Sequence, residues 1–217
     1  VASVLFIRVE LRVDHPLLPV QYFRTRSFTM PIVVIFFAQF GYMGGFILAP
    51  KLLDEIGHES ATHISTLLIP RPLTFAIAGA AAGWFMRRLG MRNIAAIGSM
   101  LVVVSLMMIA AVTDDLNTWV VVGAIALSGL GMGMVQPAIA ASVANSVDDR
   151  DLGVAGAAQQ MSVQVATSLG MNLLDTVQAG LVATSGLAAS YASSYHLGAL
   201  LTLGGVVAAW FVPKGTA

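Results

Sequence analysis

The sequence predicts an all-α membrane protein in which six transmembrane helices form a single bundle. Hydrophobic residues make up 57% of the 217 residues and charged residues only 10%, whereas a soluble domain carries about 25% charged residues. The apolar residues are grouped into runs of roughly 20, the length that a helix needs to cross the apolar core of a bilayer. Short stretches with charged or turn-forming residues separate these runs. Most of the chain is therefore expected to lie in lipid.

Six such runs follow one another along the chain. The second contains Arg71, the third is the most uniformly apolar, and the fifth is the most polar because it carries several glutamines, Asn172 and Asp175. The stretches 51–61 and 185–194 are expected to lie outside the membrane. The predicted bounds of the six spans are about 28–50, 62–86, 93–112, 119–144, 152–179 and 195–212.

Residues 1–27 are interpreted as the end of a preceding helix followed by an amphipathic cytoplasmic connection. The apolar stretch 1–7 is too short to span a bilayer, and it lacks the order of basic, apolar and small residues that a signal peptide has. Pro16 and Pro19 prevent one continuous helix from joining it to the first full span. We therefore expect the sequence to begin inside a longer protein whose amino-terminal half is missing.

Basic residues collect in alternate connections, and this asymmetry predicts the orientation of the bundle. The opposite connections contain one basic residue, Lys51, among five acidic residues. Cytoplasmic flanks of membrane helices accumulate Lys and Arg, so both ends of the segment are expected in the cytoplasm. The basic connections contain Arg8, Arg12, Arg24, Arg26, Arg87, Arg88, Arg92, Arg150 and Lys214.

Composition and spacing argue against several other classes of protein. Eleven basic and eleven acidic residues balance, which removes the cationic excess of a nucleic-acid-binding domain. The absence of cysteine excludes disulfides and thiolate metal sites, and the four histidines form no metal or catalytic constellation. The glycine-rich run 129–133 lacks the Lys-Ser or Lys-Thr pair of a nucleotide-binding loop. The sequence thus predicts no catalytic residue, metal or cofactor, and no enzyme.

Three pairs of glycines have the four-residue spacing that lets helix backbones approach closely in lipid. Such pairs are common in membrane helices, so we interpret them as packing positions. The pairs are Gly41 with Gly45, Gly79 with Gly83, and Gly129 with Gly133.

Three segments of the sequence resemble a known family. Residues 16–19 (Pro-Leu-Leu-Pro) and 23–28 (Phe-Arg-Thr-Arg-Ser-Phe) precede the first span, residues 83–92 join the second span to the third, and residues 129–137 form a glycine-rich stretch of the fourth. Together with the number of helices and the placement of charge, they are similar to the carboxy-terminal six-helix half of the fourteen-helix drug:proton antiporters of EmrB/QacA type. These antiporters belong to the major facilitator superfamily.

The connection after the second span looks like the cytoplasmic signature of that family, Gly-x-x-x-Asp-Arg-x-Gly-Arg. Gly83, Arg88 and Gly90 occupy their places, and Arg92 supplies a basic charge one residue late, but Arg87 stands at the aspartate position. The resemblance implies that the aspartate helps to hold the two halves of the transporter together. That contact is expected to be altered in this bundle.

The resemblance implies a transporter that exports drugs or other amphipathic small molecules by alternating access, driven by inward proton flow. Its partners would be the missing amino-terminal half of the same polypeptide, a small-molecule substrate, protons and the lipid bilayer of a bacterial inner membrane. The alternative is a non-transporting bundle with an interaction or regulatory role, or an incomplete and inactive product.

Polar residues recur on one face of the fifth span, at spacings of three and four residues that keep them within about a third of the helix circumference. Polar groups in hydrocarbon usually face a water-filled cavity or one another. The stripe therefore lines a substrate pathway or forms a seam bonded to neighbouring helices. It consists of Gln160, Gln164, Ser168, Asn172 and Asp175.

Two shorter stripes have similar spacing. The first span offers Gln39, Tyr42 and Phe46, and the fourth offers Ser128, Met132 and Gln136, for which core packing is an equal alternative. The resemblance implies that the first, second, fourth and fifth helices of each half line the central cavity. The predicted pathway residues are Gln39, Tyr42, Arg71, Gln136, Gln160 and Gln164.

Arg71 lies about nine residues inside the second span, which corresponds to a depth of roughly 13 Å. A charge at that depth needs a partner unless its side chain reaches the interface. Asp175, a possible proton or ion-pair site, is one candidate partner, and a carboxylate in the missing half is the other. Arg71 could also attract anionic groups of a substrate.

Overall fold

The computed structural model describes residues 22–213. The predicted end of a preceding helix, most of the predicted connection, and the basic residues Arg8, Arg12 and Lys214 lie outside the described residues. Two short 3-10 turns, Tyr22–Arg24 and Asp149–Asp151, precede the first and the sixth helix, and no β-strand occurs within residues 22–213. The α-helices are α1 (Arg26–Glu55), α2 (Ala61–Leu67), α3 (Pro70–Leu89), α4 (Met91–Ala110), α5 (Thr118–Ala144), α6 (Leu152–Ser185) and α7 (Leu187–Ala209).

Five of the six predicted spans are long and apolar enough to cross a membrane. They are α1, α2 together with α3, α4, α5 and α7. The fifth predicted span is α6, the longest helix with 34 residues, whose polar side chains lower its hydropathy. At 1.5 Å per residue α6 extends over about 51 Å, more than the roughly 30 Å of a bilayer core. The predicted all-α membrane bundle is therefore confirmed.

The last helix begins earlier than the predicted sixth span. The stretch 185–194 was expected to connect the two spans outside the membrane; α7 begins at Leu187, and only Gly186, at φ 83°, separates it from α6. Tyr191 and Ser194 are fully buried, and the Tyr191 hydroxyl donates to a Glu55 carboxylate oxygen at 2.7 Å. Hydropathy missed these roughly two turns of helix because polar side chains such as those of Tyr191 and Ser194 find partners inside the bundle.

The second predicted span is interrupted at two prolines. Pro70 has no N–H to continue the ladder from α2, and the Arg71 N–H instead donates to the Leu68 carbonyl at 3.3 Å. Because α3 starts at Pro70, Arg71 lies in its first turn, next to the break. The local sequence Pro-Arg-Pro thus places Arg71 at the start of α3.

The helices pack in two groups around α1. α5 packs along α3 and α4, while α6 and α7 pack along α1, and α4 also packs along α7. One apolar core lies towards the Glu55 end of α1 and contains Leu48, Leu52 and Tyr195; a second lies towards its Arg26 end and contains Phe28 and Ile35. These cores hold the first, fourth and fifth spans, which carry the predicted stripes, in fixed positions.

Glycines of α5 allow the closest helix contacts. A Cβ atom at Gly129 would clash with the Arg71 carbonyl, and one at Gly133 would clash with the Phe75 carbonyl, so both glycines admit the backbone of α3. Gly131 faces the other way, against Gly98 of α4. The predicted packing role of Gly129 and Gly133 agrees with these contacts.

The other two glycine pairs differ from each other. A Cβ at Gly41 or Gly45 would collide with side chains of α4 and α7, among them Leu106 and Thr202. In contrast, nothing lies within 4 Å of a Cβ placed at Gly83, and only a carbonyl oxygen at 3.8 Å approaches one at Gly79. The packing interpretation of the Gly79 and Gly83 pair is therefore wrong for contacts inside the bundle.

The two ends of the bundle differ in charge. The end that carries Arg26, Arg87, Arg88, Arg92 and Arg150 is called the basic end, and the end that carries Lys51, Asp54, Glu55, Glu59 and Asp115 is called the acidic end. At the basic end the Tyr22 hydroxyl donates to Asp151 at 2.7 Å, and this bond raises the pKa of Tyr22. The contact joins the segment before α1 to the start of α6.

Candidate substrate pathway

Arg71 lies inside the bundle, held by an aromatic pair. Its side chain is only 4% exposed, and its Nη2 donates to the Tyr42 carbonyl at 2.7 Å. The guanidinium carbon lies 3.6 Å from the centre of the Tyr42 ring and 4.0 Å from that of Phe46. Such stacking on aromatic faces stabilises a desolvated cation by about 2 kcal/mol. We call Arg71, Tyr42 and Phe46 the cation–aromatic cluster.

A small cavity adjoins this cluster. It has a volume of about 10 Å³ and is lined by α1, α3, α4 and α5, which is close to the least space that holds one water molecule. The Arg71 Nε faces no hydrogen-bond partner among the described residues. Ser105 and Ser128 also line the cavity, each bonded to a carbonyl of its own helix at 2.7 Å.

The structure does not pair Arg71 with Asp175. Asp175 instead forms an ion pair with Lys51, near the acidic end of α1 and α6. The reason is geometric, since α6 packs along α1 and α7 whereas α3 packs along α5. Lys51 was predicted to lie in a loop, but α1 continues to Glu55 and brings the ammonium group alongside α6. Its role was missed because the predicted first span ended at Pro50.

The polar stripe of α6 lies on the surface of the bundle. Gln160, Gln164, Ser168 and Asn172 are all exposed, and the only one of them in a side-chain hydrogen bond within residues 22–213 is Asn172, which donates to its own helix at the Ser168 carbonyl. Among the described helices these four residues therefore form no hydrogen-bonded seam. Beside them runs an exposed apolar stripe of Met161, Val165, Leu169 and Leu173.

The stripe on α1 divides into a buried and an accessible part. Gln39 is 5% exposed, and its Nε2 donates to the Thr167 hydroxyl of α6 at 2.9 Å. Tyr42 is half-buried, and Phe46 is 38% exposed. Gln39 therefore joins two helices, whereas Phe46 offers an accessible aromatic ring over Arg71. Thr167 gave no signal in the sequence because a lone threonine on a helix does not reveal its partner.

The stripe on α5 is mostly core. Met132 is 1% exposed and belongs to the apolar core, and Ser128 bonds to the Ile125 carbonyl. Gln136 is half-buried, beside Pro137. The structure thus brings Arg71 together with Tyr42, whereas no side-chain hydrogen bond in the described residues joins Gln160 or Gln164 of α6 to the cation–aromatic cluster.

The predicted signature loop forms a tight turn at the basic end. Gly90 adopts φ 79°, a left-handed conformation that favours glycine, and its N–H donates to the Met86 carbonyl at 2.9 Å, which ends α3. The Arg88 guanidinium lies 4.2 Å from the Trp84 ring. Arg87, at the position of the family's aspartate, is exposed.

Comparison with known proteins decides the family. Residues 7–171, which are most of the chain, match the model of the Major Facilitator Superfamily. The chain belongs to the major facilitator superfamily. This membership agrees with the helical bundle and with the turn at Gly90, and it means that the chain is part of a transport protein and not of an enzyme.

Relatives of this major facilitator chain carry names that refer to drug transport and antibiotic resistance. It is 25% identical over 82% of its length to the multidrug transporter protein MdtP of Bacillus subtilis. It is 24% identical over 80% of its length to the tetracenomycin C resistance and export protein of Streptomyces glaucescens, and 27% identical over 79% to a tetracycline resistance determinant of Streptomyces rimosus. The matched regions cover 33%, 32% and 50% of these relatives.

Proposed function

We propose that this chain is the carboxy-terminal six-helix half of a fourteen-helix drug exporter. The exporter works by alternating access and couples the efflux of amphipathic small molecules to inward proton flow. The names of three relatives as drug or antibiotic transporters and resistance proteins support the substrate class. The charge difference between the two ends of the bundle supports an orientation with both ends of the chain in the cytoplasm of a bacterial inner membrane.

One observation carries the proposal most directly, namely the exposed polar stripe on α6. Amide side chains on a membrane helix are costly when they face lipid, so they are expected to face a water-filled cavity or protein. Gln160 and Gln164 find no such surroundings inside the bundle. A second half of the transporter, placed against this face, gives the amides a polar pathway, and an amide can both donate and accept hydrogen bonds to varied substrates.

The cation–aromatic cluster gives the pathway a second component. Phe46 presents its exposed ring towards the space outside the bundle, while Arg71 is covered by Phe46 and Tyr42. A substrate would therefore touch the aromatic ring first. In this proposal Arg71 is a positioning residue, which orients the two rings through its stacking and its bond to the Tyr42 carbonyl.

Efflux of a fluorescent amphipathic dye from cells that express the full-length protein tests the proposal. We compare the unchanged protein with Gln160→Leu and Gln164→Leu, at equal amounts of protein in the membrane. Val165→Leu and Leu169→Ile, on the adjacent apolar stripe, are the matched controls. A reduction of at least about tenfold in the glutamine variants alone, which corresponds to about 1.4 kcal/mol, supports the pathway.

Proton coupling is tested in the same cells by collapsing the transmembrane proton gradient. We expect efflux to stop when the gradient is lost and to resume when it is restored. Efflux that continues without the gradient would contradict proton coupling but not the pathway. Equal activity in the glutamine variants and the controls would contradict the pathway, and a protein that is inactive towards every dye would favour a non-transporting bundle.

A further inference from the structure

The basic end of α4 and α7 combines a cation, an exposed indole and an apolar surface. Arg92 lies in the first turn of α4, and Trp210 directly follows α7. The Arg92 guanidinium carbon lies 5.0 Å from the centre of the Trp210 ring. Trp210 is nevertheless 62% exposed. Neither residue belongs to the pathway described above.

The exposed faces of α4 and α7 continue from this point towards the middle of the bundle. On α4 the exposed residues follow helical spacings of three and four, and α7 packs along α4 in the opposite direction. Between Asn93, beside Arg92, and His196, beyond Leu200, these faces are apolar, as expected for surfaces in contact with acyl chains. Their exposed apolar residues are Ile97, Met100, Val104 and Met107 on α4, and Leu200, Val207 and Phe211 on and after α7.

The positive charge of Arg92 has no carboxylate partner in the part of the chain that the structure describes. No Asp or Glu oxygen in residues 22–213 lies within 4.0 Å of its side chain. Of the three acidic residues at the same end, Asp148 pairs with Arg150 and Asp151 accepts a hydrogen bond from Tyr22, and Asp149 forms no ion pair with Arg92. Arg92 thus keeps donors for an anion that comes from outside the bundle.

We propose that this surface binds one anionic phospholipid. The phosphate accepts hydrogen bonds from the Arg92 guanidinium, whose planar fork suits phosphate oxygens. The Trp210 indole lies at the level of the headgroup, where tryptophan is enriched in membrane proteins. The acyl chains run along the apolar faces, since Met100 is about 12 Å from Arg92 along the helix axis and one leaflet is about 15 Å deep.

Binding of defined lipids to the full-length protein in detergent tests this proposal. The probes are phosphatidylglycerol and phosphatidylcholine with identical acyl chains, and native mass spectrometry counts the bound molecules. We expect phosphatidylglycerol to bind more tightly than phosphatidylcholine. Arg92→Gln should weaken phosphatidylglycerol binding about fivefold, the factor expected from losing one arginine near an anionic surface, while phosphatidylcholine binding stays unchanged.

Three further variants distinguish specific lipid binding at Arg92 and Trp210 from a general attraction of anionic lipid to positive charge. Arg87→Gln removes an exposed arginine at the same end and should leave lipid binding as it is. Arg92→Lys keeps the charge and should retain more binding than Arg92→Gln, and Trp210→Leu should weaken binding of phosphatidylglycerol. Equal binding of the two lipids, or equal losses in Arg87→Gln and Arg92→Gln, would overturn the proposal.

Competition by soluble phosphates identifies the source of the anion. Glycerol 1-phosphate and inorganic phosphate share the headgroup chemistry but lack acyl chains. If the apolar faces contribute, neither compound should displace phosphatidylglycerol at millimolar concentration. Displacement by either compound would show that the arginine binds phosphate without lipid, and it would overturn the assignment to a phospholipid.

Discussion

A single guanidinium group, that of Arg71, lies among aromatic rings in the interior of the bundle. Its side chain is held by the Tyr42 carbonyl and by the faces of Tyr42 and Phe46, with no carboxylate in the described residues within ion-pair distance. A buried charge without an ionic partner contributes little to stability, because its desolvation offsets what its contacts supply. We therefore expect Arg71 to orient the rings of Tyr42 and Phe46 and to contribute little to the free energy of unfolding.

Replacing Arg71 tests this expectation. Arg71→Met removes the charge but keeps an unbranched side chain, so we expect the melting temperature in detergent to stay within a few degrees. Efflux by the full-length protein should fall roughly tenfold, for a loss of about 1–2 kcal/mol of stacking. Arg71→Lys should have an intermediate effect, since an ammonium group lacks the planar face that stacks on the rings.

The control for Arg71 is Ser105→Ala, which alters the same small cavity without touching the aromatic rings. This variant should leave efflux unchanged. If Arg71→Met melts far below the unchanged protein, or if its efflux is normal, Arg71 is not a positioning residue.

The pair of Lys51 and Asp175 is a different kind of interaction. Their side chains are 43% and 39% exposed, so water and salt screen the attraction, and such pairs contribute about 0.2–1 kcal/mol. The pair joins α1 to α6 near the acidic end. It is thus a weak contact between two helices that also pack through Gly44 and Gly170.

A double-mutant cycle of Lys51→Met and Asp175→Asn measures this contact. We expect each single variant to lower the free energy of unfolding slightly, and the coupling between them to be below about 1 kcal/mol. Efflux should respond equally to the two changes if the pair is only structural. A much larger loss of efflux in Asp175→Asn than in Lys51→Met would contradict that interpretation and assign Asp175 a separate role.

Among the helices, α5 is the one whose glycines allow two neighbours to pack closely against it. Gly129 and Gly133 face α3 and Gly131 faces α4, so one helix makes backbone contacts on two sides. In lipid, where apolar side chains gain little by leaving the solvent, this close packing is a main source of helix association. The positions of α3 and α4, which carry Arg71 and Arg92, therefore depend on the absence of a Cβ atom at these three glycines.

Alanine substitutions distinguish these glycines from the exposed one. Gly129→Ala places a methyl group against the Arg71 carbonyl, and such overpacking costs about 1–3 kcal/mol. Gly83→Ala meets nothing within 4 Å and raises helix propensity, so it should be neutral or stabilising. Thermal unfolding of the purified protein in detergent measures both; equal melting temperatures would show that α3 and α5 are not in the described contact.

α6 shows how one helix can present two kinds of surface. Its polar stripe and its apolar stripe are offset by one residue, which turns them by about 100° from each other. Gln164 and Val165 are neighbours in the chain and are both exposed, yet they suit different surroundings. This arrangement is expected for a helix at the border between a polar pathway and an apolar contact.

For the whole molecule, the separation of charge between the ends predicts a fixed orientation in the membrane. This segment contributes no cysteine, so a single introduced thiol can be labelled without background from it. In cells with the full-length protein, a membrane-impermeant maleimide should label Glu59→Cys directly. Arg87→Cys should become accessible only after the membrane is permeabilised, because basic connections stay in the cytoplasm. The reverse pattern would invert the orientation.

The predictions from sequence agreed with the structure for features that depend only on a residue and its neighbours in the chain. Long apolar runs gave the spans, and the charged residues between them gave two ends of different charge. Gly90 ended α3 where the family resemblance placed the signature turn. These features depend on hydropathy and on backbone conformation, both of which are properties of a residue and its nearest neighbours.

Helical spacing was a weaker guide to the pathway. It placed Gln39 and Gln164 in equivalent roles, but Gln39 is buried against Thr167 and Gln164 is exposed. Spacing identifies which residues share a face of a helix, but it does not say what lies opposite that face. The same limit explains why the start of α7 was missed, since Tyr191 is hidden by a bond to Glu55 that lies 136 residues away.

The sequence alone therefore determined that residues 22–213 form a bundle of long helices suited to a membrane, and which end of that bundle carries the basic residues. The tertiary structure alone decided that Arg71 stacks on Tyr42 and Phe46, and that Asp175 pairs with Lys51. The physical reason is that solvent preference acts on each segment separately, whereas the partner of a buried charge depends on which helices lie side by side. That neighbourhood is set by packing across the whole bundle, above all by the glycines that let α5 approach α3.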